Sequence, residues 1–230
     1  MNPRTSPYLA ALAVLALAMS VAVPAGAGLT EEQLAEQTRI RCGNLVYSGE
    51  QSSVCFADHF LSVVAERTGI DVDPHFSKLR LDNGELFSTP FCIFSGTGSF
   101  TLNEAEIENL RKYVTNGGFI VASPGCSDSE WIQSFRRAFK TAFPDHELEK
   151  IPMDHTIFSV VNEVTSLNLR KRTGRTELQG LHIDGRLALV FSPDGLNDVA
   201  RADGCCCCGG AEIAESVQVN VNLFVYSLLY

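Results

Sequence analysis

The chain has 230 residues, of which 45% are hydrophobic and 20% charged, a composition that allows a domain with a substantial buried core. Its formal net charge of -9 argues against nucleic acid as a partner, because an acidic surface repels phosphate and no basic stripe offsets that repulsion. The single basic cluster, "LRKRTGR" at residues 169–175, has polar neighbours and is interpreted as a solvated loop.

The N-terminal stretch is typical of a cleaved secretory signal. Arg4 supplies a positive start, an apolar run covers residues 9–23, and small residues follow at 25–27. The apolar run is shorter than the ~20 residues that cross a bilayer, so no stable membrane insertion is predicted after cleavage. We therefore expect a signal peptide at residues 1–27, a single domain at residues 28–230, and a periplasmic or extracellular location.

Strand and helix patterns alternate along the next hundred residues, which favours a parallel sheet with helical crossovers. Apolar strands are predicted at residues 44–48, 78–81, 91–95 and 119–123. Helices are predicted after the first, third and fourth of these strands. The two later helices begin with capping-box patterns, Thr101 with Glu104 and Ser127 with Glu130.

The last third of the chain predicts a hairpin and a final helix. "LHIDGRLALVFS" places two apolar runs on either side of Asp184-Gly185, a dipeptide typical of tight β-hairpins. Residues 211–229 have apolar side chains at helical spacing. Together these patterns predict an α/β fold: a three-layer, doubly wound, mostly parallel sheet with a C-terminal antiparallel hairpin.

Eight cysteines are the most unusual chemical feature, and four of them are consecutive: Cys205, Cys206, Cys207 and Cys208. Loops that follow parallel strands meet at one edge of a sheet, so Cys55, Cys126 and these four are predicted to converge on one rim. Thiolates there could bind a soft metal, Cu or Zn, or take part in thiol redox chemistry. The alternative is that the cysteines form disulfides that fix a loop.

The two remaining cysteines are expected away from this rim. Cys42 precedes the first predicted strand, and Cys92 falls inside a buried strand, where a thiol behaves as a small hydrophobic group.

Cys126 is also a candidate nucleophile, because it lies on a predicted strand-to-helix turn where backbone N–H groups and the helix dipole favour a thiolate. His182 with Asp184 would supply its base. However, no glycine follows the cysteine, and His182 is predicted to begin a hairpin strand away from the rim. A buried or disulfide-bonded thiol is therefore the favoured interpretation of Cys126.

Structural roles are predicted for two histidines. Asp154 is expected to cap a helix from Thr156 onward, with His155 beside it. His59 is expected on the surface of the first helix, where it would be a metal ligand only as a remote alternative. 

Acidic and amide side chains follow the hairpin. Asp194, Asn197 and Asp198 could coordinate Ca²⁺, but the same spacing is common in turns.

Five motifs in fixed order resemble the bacterial family known as domain of unknown function 4159. They are a strand followed by T-G-x-G-S-F, a helix ending in N-G-G-F, an S-F-R-R helix, an F-P-D turn and a P-x-D-H-x-I-F segment. The similarity runs from about Cys42 to the C-terminus. It implies exported proteins with a flavodoxin-like sheet of the class I glutamine-amidotransferase-like kind, and it implies no established activity. Amidotransferases of that class carry G-x-C-x-G and a later H-x-E, where this chain has "GCSDS" and "HID".

We therefore expect an exported α/β domain whose thiol-rich rim binds a soft metal or performs thiol redox chemistry. One alternative is a degenerate amidotransferase-like hydrolase that uses Cys126. The other is a non-catalytic, disulfide-stabilised module that binds an unidentified protein partner.

Overall fold

A seven-stranded sheet with the order β2-β1-β3-β4-β7-β6-β5 organises the protein. The computed structural model describes residues 38–52, 58–170, 173–196 and 212–230. The strands are β1 (Cys42–Val46), β2 (Ser77–Arg80), β3 (Phe91–Gly96), β4 (Phe119–Pro124), β5 (Glu149–Lys150), β6 (Gln179–Ile183) and β7 (Arg186–Phe191). The α-helices are α1 (His59–Thr68), α2 (Glu104–Thr115), α3 (Ser129–Ala142) and α4 (Ser216–Leu229).

The first four sheet pairings are parallel and the last two are antiparallel. Strands β2, β1, β3, β4 and β7 all run in one direction, while β6 and β5 add antiparallel strands at one side. Every residue of β3 and β4 is buried, as expected of central parallel strands covered on both faces. The predicted mixed α/β architecture with a mostly parallel sheet and a hairpin is confirmed.

The hairpin turn is the one that the sequence predicts. Asp184 has φ 50° and Gly185 has φ 80°, and positive φ at both central residues defines the turn whose twist suits two antiparallel strands. The flanking residues Ile183 and Arg186 pair directly across it.

Two hydrophobic clusters divide the core, and alternate residues of β3 belong to different clusters. Phe91 and Ile93 lie in the first, which we call the α1/α4 cluster, and Cys92 and Phe94 lie in the second, the α2/α3 cluster. This alternation follows from the two-residue period of a strand. Helices α1 and α4 contribute Phe60, Leu61, Val64, Val221 and Phe224 to the first cluster. Helices α2 and α3 contribute Leu110, Tyr113, Trp131, Phe135 and Phe139 to the second.

The first strand begins two residues earlier than the apolar pattern indicated. Cys42 is the first residue of β1, fully buried in the α1/α4 cluster, rather than part of a preceding segment. The strand reaches this far because Cys42 pairs with Phe91 of β3.

The capping residues of two helices also differ from those predicted. Asn103 and Glu106 form the capping box of α2, not Thr101 and Glu104. Glu106 is selected by a distant contact, since its carboxylate also accepts a hydrogen bond from the backbone N–H of Ser48 at 2.6 Å. 

At α3 the cap is Asp128, whose side chain accepts from the N–H of Trp131 at 2.8 Å, and not Ser127.

Residues 156–158 form a 3₁₀ turn instead of the start of a longer helix. Its cap is the side chain of His155, which accepts from the N–H of Ile157, and not that of Asp154.

Helix α4 confirms the predicted C-terminal helix, although Ile213 lies before it, in a bridge with Leu169. Within the described ranges, none of the helices combines the length and apolarity required to cross a membrane. The predicted signal peptide lies outside the described residues.

Candidate functional site at the carboxyl edge of the sheet

The turn that joins β4 to α3 has a left-handed backbone at two consecutive residues. Cys126 has φ 57° and Ser127 has φ 52°, a region that residues other than glycine seldom adopt. The turn lies at the carboxyl edge, which we define as the edge where the parallel strands end. Both residues are half-buried, so the turn borders the surface.

Cys126 is disulfide-bonded, whereas Cys42 and Cys92 are free and buried. Burial raises the pKa of the Cys92 thiol to about 12, and burial raises the pKa of the Cys42 thiol further still. Neither free thiol can therefore form a thiolate at ordinary pH. Of the three cysteines in the described ranges, Cys126 is the one that is disulfide-bonded.

Ser127 connects this turn to two carboxylates from distant parts of the chain. Its hydroxyl Oγ lies 3.4 Å from Oδ1 of Asp194 and in very short contact with Oε2 of Glu212. The second carboxylate oxygen of Asp194 accepts a hydrogen bond from the Thr176 hydroxyl at 2.5 Å. Asp194 is buried and Glu212 is half-buried, so this polar group forms part of the edge itself.

Hydrogen bonds join the two parts of the chain that flank residues 197–211, Gly195 on one side and Glu212 and Ile213 on the other. We call this junction the closed base. The N–H of Gly195 donates to Oε2 of Glu212 at 3.2 Å, and the N–H of Ile213 donates to the carbonyl of Gly195 at 3.3 Å. The chain therefore leaves the sheet and returns to it at one point.

Further backbone contacts fix this base to its surroundings. The N–H of Leu196 donates to the Ser123 hydroxyl of β4 at 3.0 Å. On the returning side, the N–H of Arg170 donates to the Glu212 carbonyl at 2.8 Å. Because Ser123 lies near the end of β4 and Ser127 lies just after it, the base is held directly beside the Cys126 turn.

Most of the cysteines predicted for the rim lie outside the described residues. These are Cys55 and the four at 205–208, and the same holds for Asn197 and Asp198. The structure places Cys126 at the carboxyl edge. The ends of the segment that contains residues 205–208 lie at the same edge.

His182 and Asp184 lie toward the opposite edge. Strand β6 starts where Gln179 pairs with Phe191, near the carboxyl edge, and ends where Ile183 pairs with Arg186. Four steps along the strand separate Gln179 from Ile183, about 13 Å at ~3.3 Å per residue. The structure therefore does not bring His182 or Asp184 to the Cys126 sulfur. His182 instead contacts His155, with ring centroids 6.2 Å apart.

A metal site is not visible among the residues with described positions. Across those residues, no group of three or more His, Cys, Asp or Glu side chains is arranged to hold an ion.

Sequence reasoning missed Ser127, Thr176 and Glu212 as members of this site. Ser127 is 67 residues from Asp194 and 85 residues from Glu212 along the chain, and no local pattern relates them. The one available signal was topological, since Ser127 follows β4 and Asp194 follows β7, and both strands end at the carboxyl edge.

Comparison with known proteins places the chain in a family. A search of curated proteins finds no match. The profile of one family matches residues 44–228, which is well over half of the sequence. The chain therefore belongs to the family described as Domain of unknown function (DUF4159).

Proposed function

We propose that the protein is an exported α/β domain that performs thiol–disulfide exchange at the carboxyl edge of its sheet. The observation that carries this proposal is the disulfide-bonded Cys126 beside the closed base of the segment that contains the four cysteines at 205–208.

Chain connectivity supports one of those four cysteines as the disulfide partner. Cys42 and Cys92 are free, which leaves Cys55 and the four consecutive cysteines. Cys208 is four residues from Glu212, so the chain between them spans at most ~14 Å. Because Glu212 contacts Ser127, the neighbour of Cys126, closing this disulfide costs little chain entropy.

The environment of Cys126 suits a sulfur that must leave as a thiolate. The turn precedes α3, whose N-terminal N–H groups stabilise negative charge. Cys126 and Ser127 are half-buried, so the turn borders the surface. In a run of adjacent cysteines, a thiol next to the bonded one is available to resolve a mixed disulfide.

The reaction we propose takes a dithiol protein as its co-reactant. A thiolate of that protein attacks one sulfur of the Cys126 disulfide, a mixed disulfide forms, and the other sulfur leaves as a thiolate that takes a proton from water. The second thiolate of the co-reactant then attacks the mixed disulfide. The co-reactant leaves oxidised by two electrons, and the Cys126 pair is reduced to two thiols.

Two other interpretations of the rim are less well supported. A soft-metal site for Cu or Zn needs thiolates, and a disulfide-bonded Cys126 cannot supply one. A hydrolase needs Cys126 free and a base within reach, whereas His182 and Asp184 lie toward the other edge.

We also propose that the domain has the three-layer, flavodoxin-like arrangement of class I glutamine-amidotransferase-like proteins. The parallel order β2-β1-β3-β4-β7 and the division of helices between two clusters support this arrangement. The predicted signal peptide supports export, where disulfides persist.

The testing experiment is a redox titration of the mature protein, residues 28–230, purified without reductant. The protein is equilibrated with glutathione buffers, free thiols are alkylated, and the intact mass gives the number of disulfides. We expect the Cys126 disulfide to open with a midpoint potential above about −250 mV, the range of exchanging rather than structural disulfides. Cys126→Ser should abolish this transition. Cys42→Ala, which removes a buried free thiol, should leave it unchanged.

Other results would replace the proposal. A disulfide that stays closed below about −300 mV would indicate a structural staple. A species that carries Zn or Cu in native mass spectrometry, with Cys126 alkylatable, would indicate a metal site. Hydrolysis that is lost in Cys126→Ser and independent of glutathione would indicate a nucleophile.

A further inference from the structure

His155 caps the 3₁₀ turn at Thr156–Phe158 with its imidazole ring. The Nδ1 atom accepts a hydrogen bond from the N–H of Ile157 at 3.2 Å. An imidazole nitrogen that accepts a hydrogen bond carries no proton, so the capped turn requires a neutral His155 whose proton is on Nε2.

A second imidazole lies against the first. The ring centroid of His182, from β6, is 6.2 Å from that of His155, and the ring of Tyr226, from α4, is 5.6 Å away. Burial lowers the pKa of His155, the neighbouring His182 lowers it further, and Asp154 acts in the opposite direction. Two protonated rings at this separation would repel each other.

Among the described residues, three groups from different parts of the chain lie next to His155. Asp154 precedes it in the chain, His182 faces it from β6, and Tyr226 faces it from α4. Burial raises the pKa of Tyr226, whereas a backbone hydrogen bond at Leu187 and the charge of Arg186 on β7 lower it. The net pKa is raised, so Tyr226 is neutral at ordinary pH. Tyr226 also stacks on Tyr230, with centroids 4.7 Å apart.

The capped turn packs against helix α4. Ile157 and Phe158 are fully buried in the α1/α4 cluster. The loop that follows is fastened to the helix, since the Asn162 N–H donates to the side-chain oxygen of Asn222 at 2.8 Å and the Asn222 amide donates back to the Asn162 carbonyl at 2.8 Å. Loss of the cap therefore weakens the packing of the turn against α4.

We propose that His155 and His182 form an acid-sensitive latch, in which protonation of His155 breaks the cap on Ile157 and releases the turn beneath α4. A metal site at the same pair is disfavoured by the same hydrogen bond. With Nδ1 used as an acceptor, Nε2 carries the proton and offers no lone pair to an ion.

The direction of the pH effect follows from linkage. The closed latch binds a proton less readily than an open one, because the pKa of His155 in the closed form is lowered from 6.5. The latch is therefore fully stable above the ordinary histidine pKa. Its stability falls as the pH drops below about 6.5 and continues to fall until the lowered pKa is passed.

The test combines histidine NMR with amide exchange on the mature protein. Nitrogen-15 shifts should show His155 as the Nε2–H tautomer at pH 7.5, with a titration midpoint below that of a free histidine. The protection factors of the Ile157 and Phe158 amides, corrected for intrinsic exchange, should fall between pH 7.5 and pH 5.0, because protonation of His155 removes the acceptor that caps the turn.

Three variants make the test specific. His155→Asn keeps a capping oxygen that does not titrate, so its protection should be nearly independent of pH. His182→Gln removes the repelling ring, so the fall in protection should become smaller. His75→Gln is the control, because His75 is exposed and paired with Asp58, where its pKa is raised instead of lowered. That variant should keep the wild-type profile.

Two results would overturn the latch. One is a protonated Nδ1 on His155 at pH 7.5, and the other is a pH profile of His155→Asn that equals the wild type. If His155→Asn does not fold, the tautomer and titration of the unmodified protein still give the answer.

Discussion

The two faces of the sheet differ in how closely their aromatic rings pack, since ring pairs on the α1/α4 face have centroids 5.5–6.2 Å apart. The α2/α3 face holds a network of aromatic rings whose neighbouring centroids lie 4.6–5.7 Å apart. Its members are Tyr47, Phe94, Phe100, Trp131, Phe135 and Phe191. The α1/α4 face buries polar side chains among its apolar ones, including Ser95, Ser123, Asn220 and Asn222.

Because of this difference, we expect the two faces to contribute unequally to the free energy of unfolding. Aromatic pairs at these distances add dispersion and quadrupole attraction to a large buried area, so the α2/α3 face acts as a rigid foundation. The polar groups of the other face gain little net free energy from burial, and they attach α4 and the closed base of residues 197–211 to the sheet. Both the proposed thiol site and the proposed histidine latch involve groups of that second face.

The largest expected effect is on the aromatic face. Phe135→Ala removes a ring that contacts Phe94, Trp131 and Phe191, and we expect the free energy of unfolding to fall by about 3–5 kcal/mol. Urea denaturation followed by circular dichroism measures this loss. Phe87→Ala, at an exposed ring, serves as the matched control and should cost far less. Similar losses in the two variants would mean that the network is not the foundation of the fold.

A smaller loss is expected where the aromatic face meets the end of β3. The Tyr47 hydroxyl donates to the carbonyl of Ser95 at 3.0 Å and accepts from Nε1 of Trp131 at 2.6 Å. Tyr47→Phe leaves both partners buried and unpaired, so we expect a loss of about 1–3 kcal/mol in the same denaturation measurement. An unchanged stability would show that water takes the place of the hydroxyl.

The smallest effect is expected on the polar face. The hydroxyl of Ser95 is fully buried and makes no hydrogen bond to the part of the chain that the structure describes, so its burial costs free energy without return. Ser95→Ala should leave the free energy of unfolding unchanged or raise it by up to ~1 kcal/mol. Destabilisation by more than that amount would reveal a bound molecule that uses the hydroxyl, and would make this face part of a ligand site.

The sequence predicts the parts of the fold that depend on neighbours in the chain. The central strands, the hairpin at Asp184-Gly185 and helix α4 follow from apolar runs, turn chemistry and helical spacing. The two-residue edge strand β5 has no apolar pattern because both its residues are exposed, and it was not predicted.

Caps and site residues depend on distant partners, which is why sequence patterns alone mislead. Near the start of α2, both Thr101 with Glu104 and Asn103 with Glu106 satisfy the capping-box pattern, and the contact of Glu106 with Ser48 favours the second. The same reason hides the carboxyl-edge group. Cys126 could be placed at the rim from topology, but its neighbours Asp194 and Glu212 are brought there only by tertiary structure.

Because the closed base joins Gly195 to Ile213, we expect that the segment carrying the four cysteines can be replaced by another loop. Because the backbone departs and returns at adjoining positions, a short glycine–serine linker or an unrelated loop can replace residues 197–211 without changing the path of β7 or α4. Such a replacement would test the fold separately from the proposed thiol chemistry. We expect a variant without this segment to keep the sheet, so that other loops with other reactive groups could be placed beside Cys126.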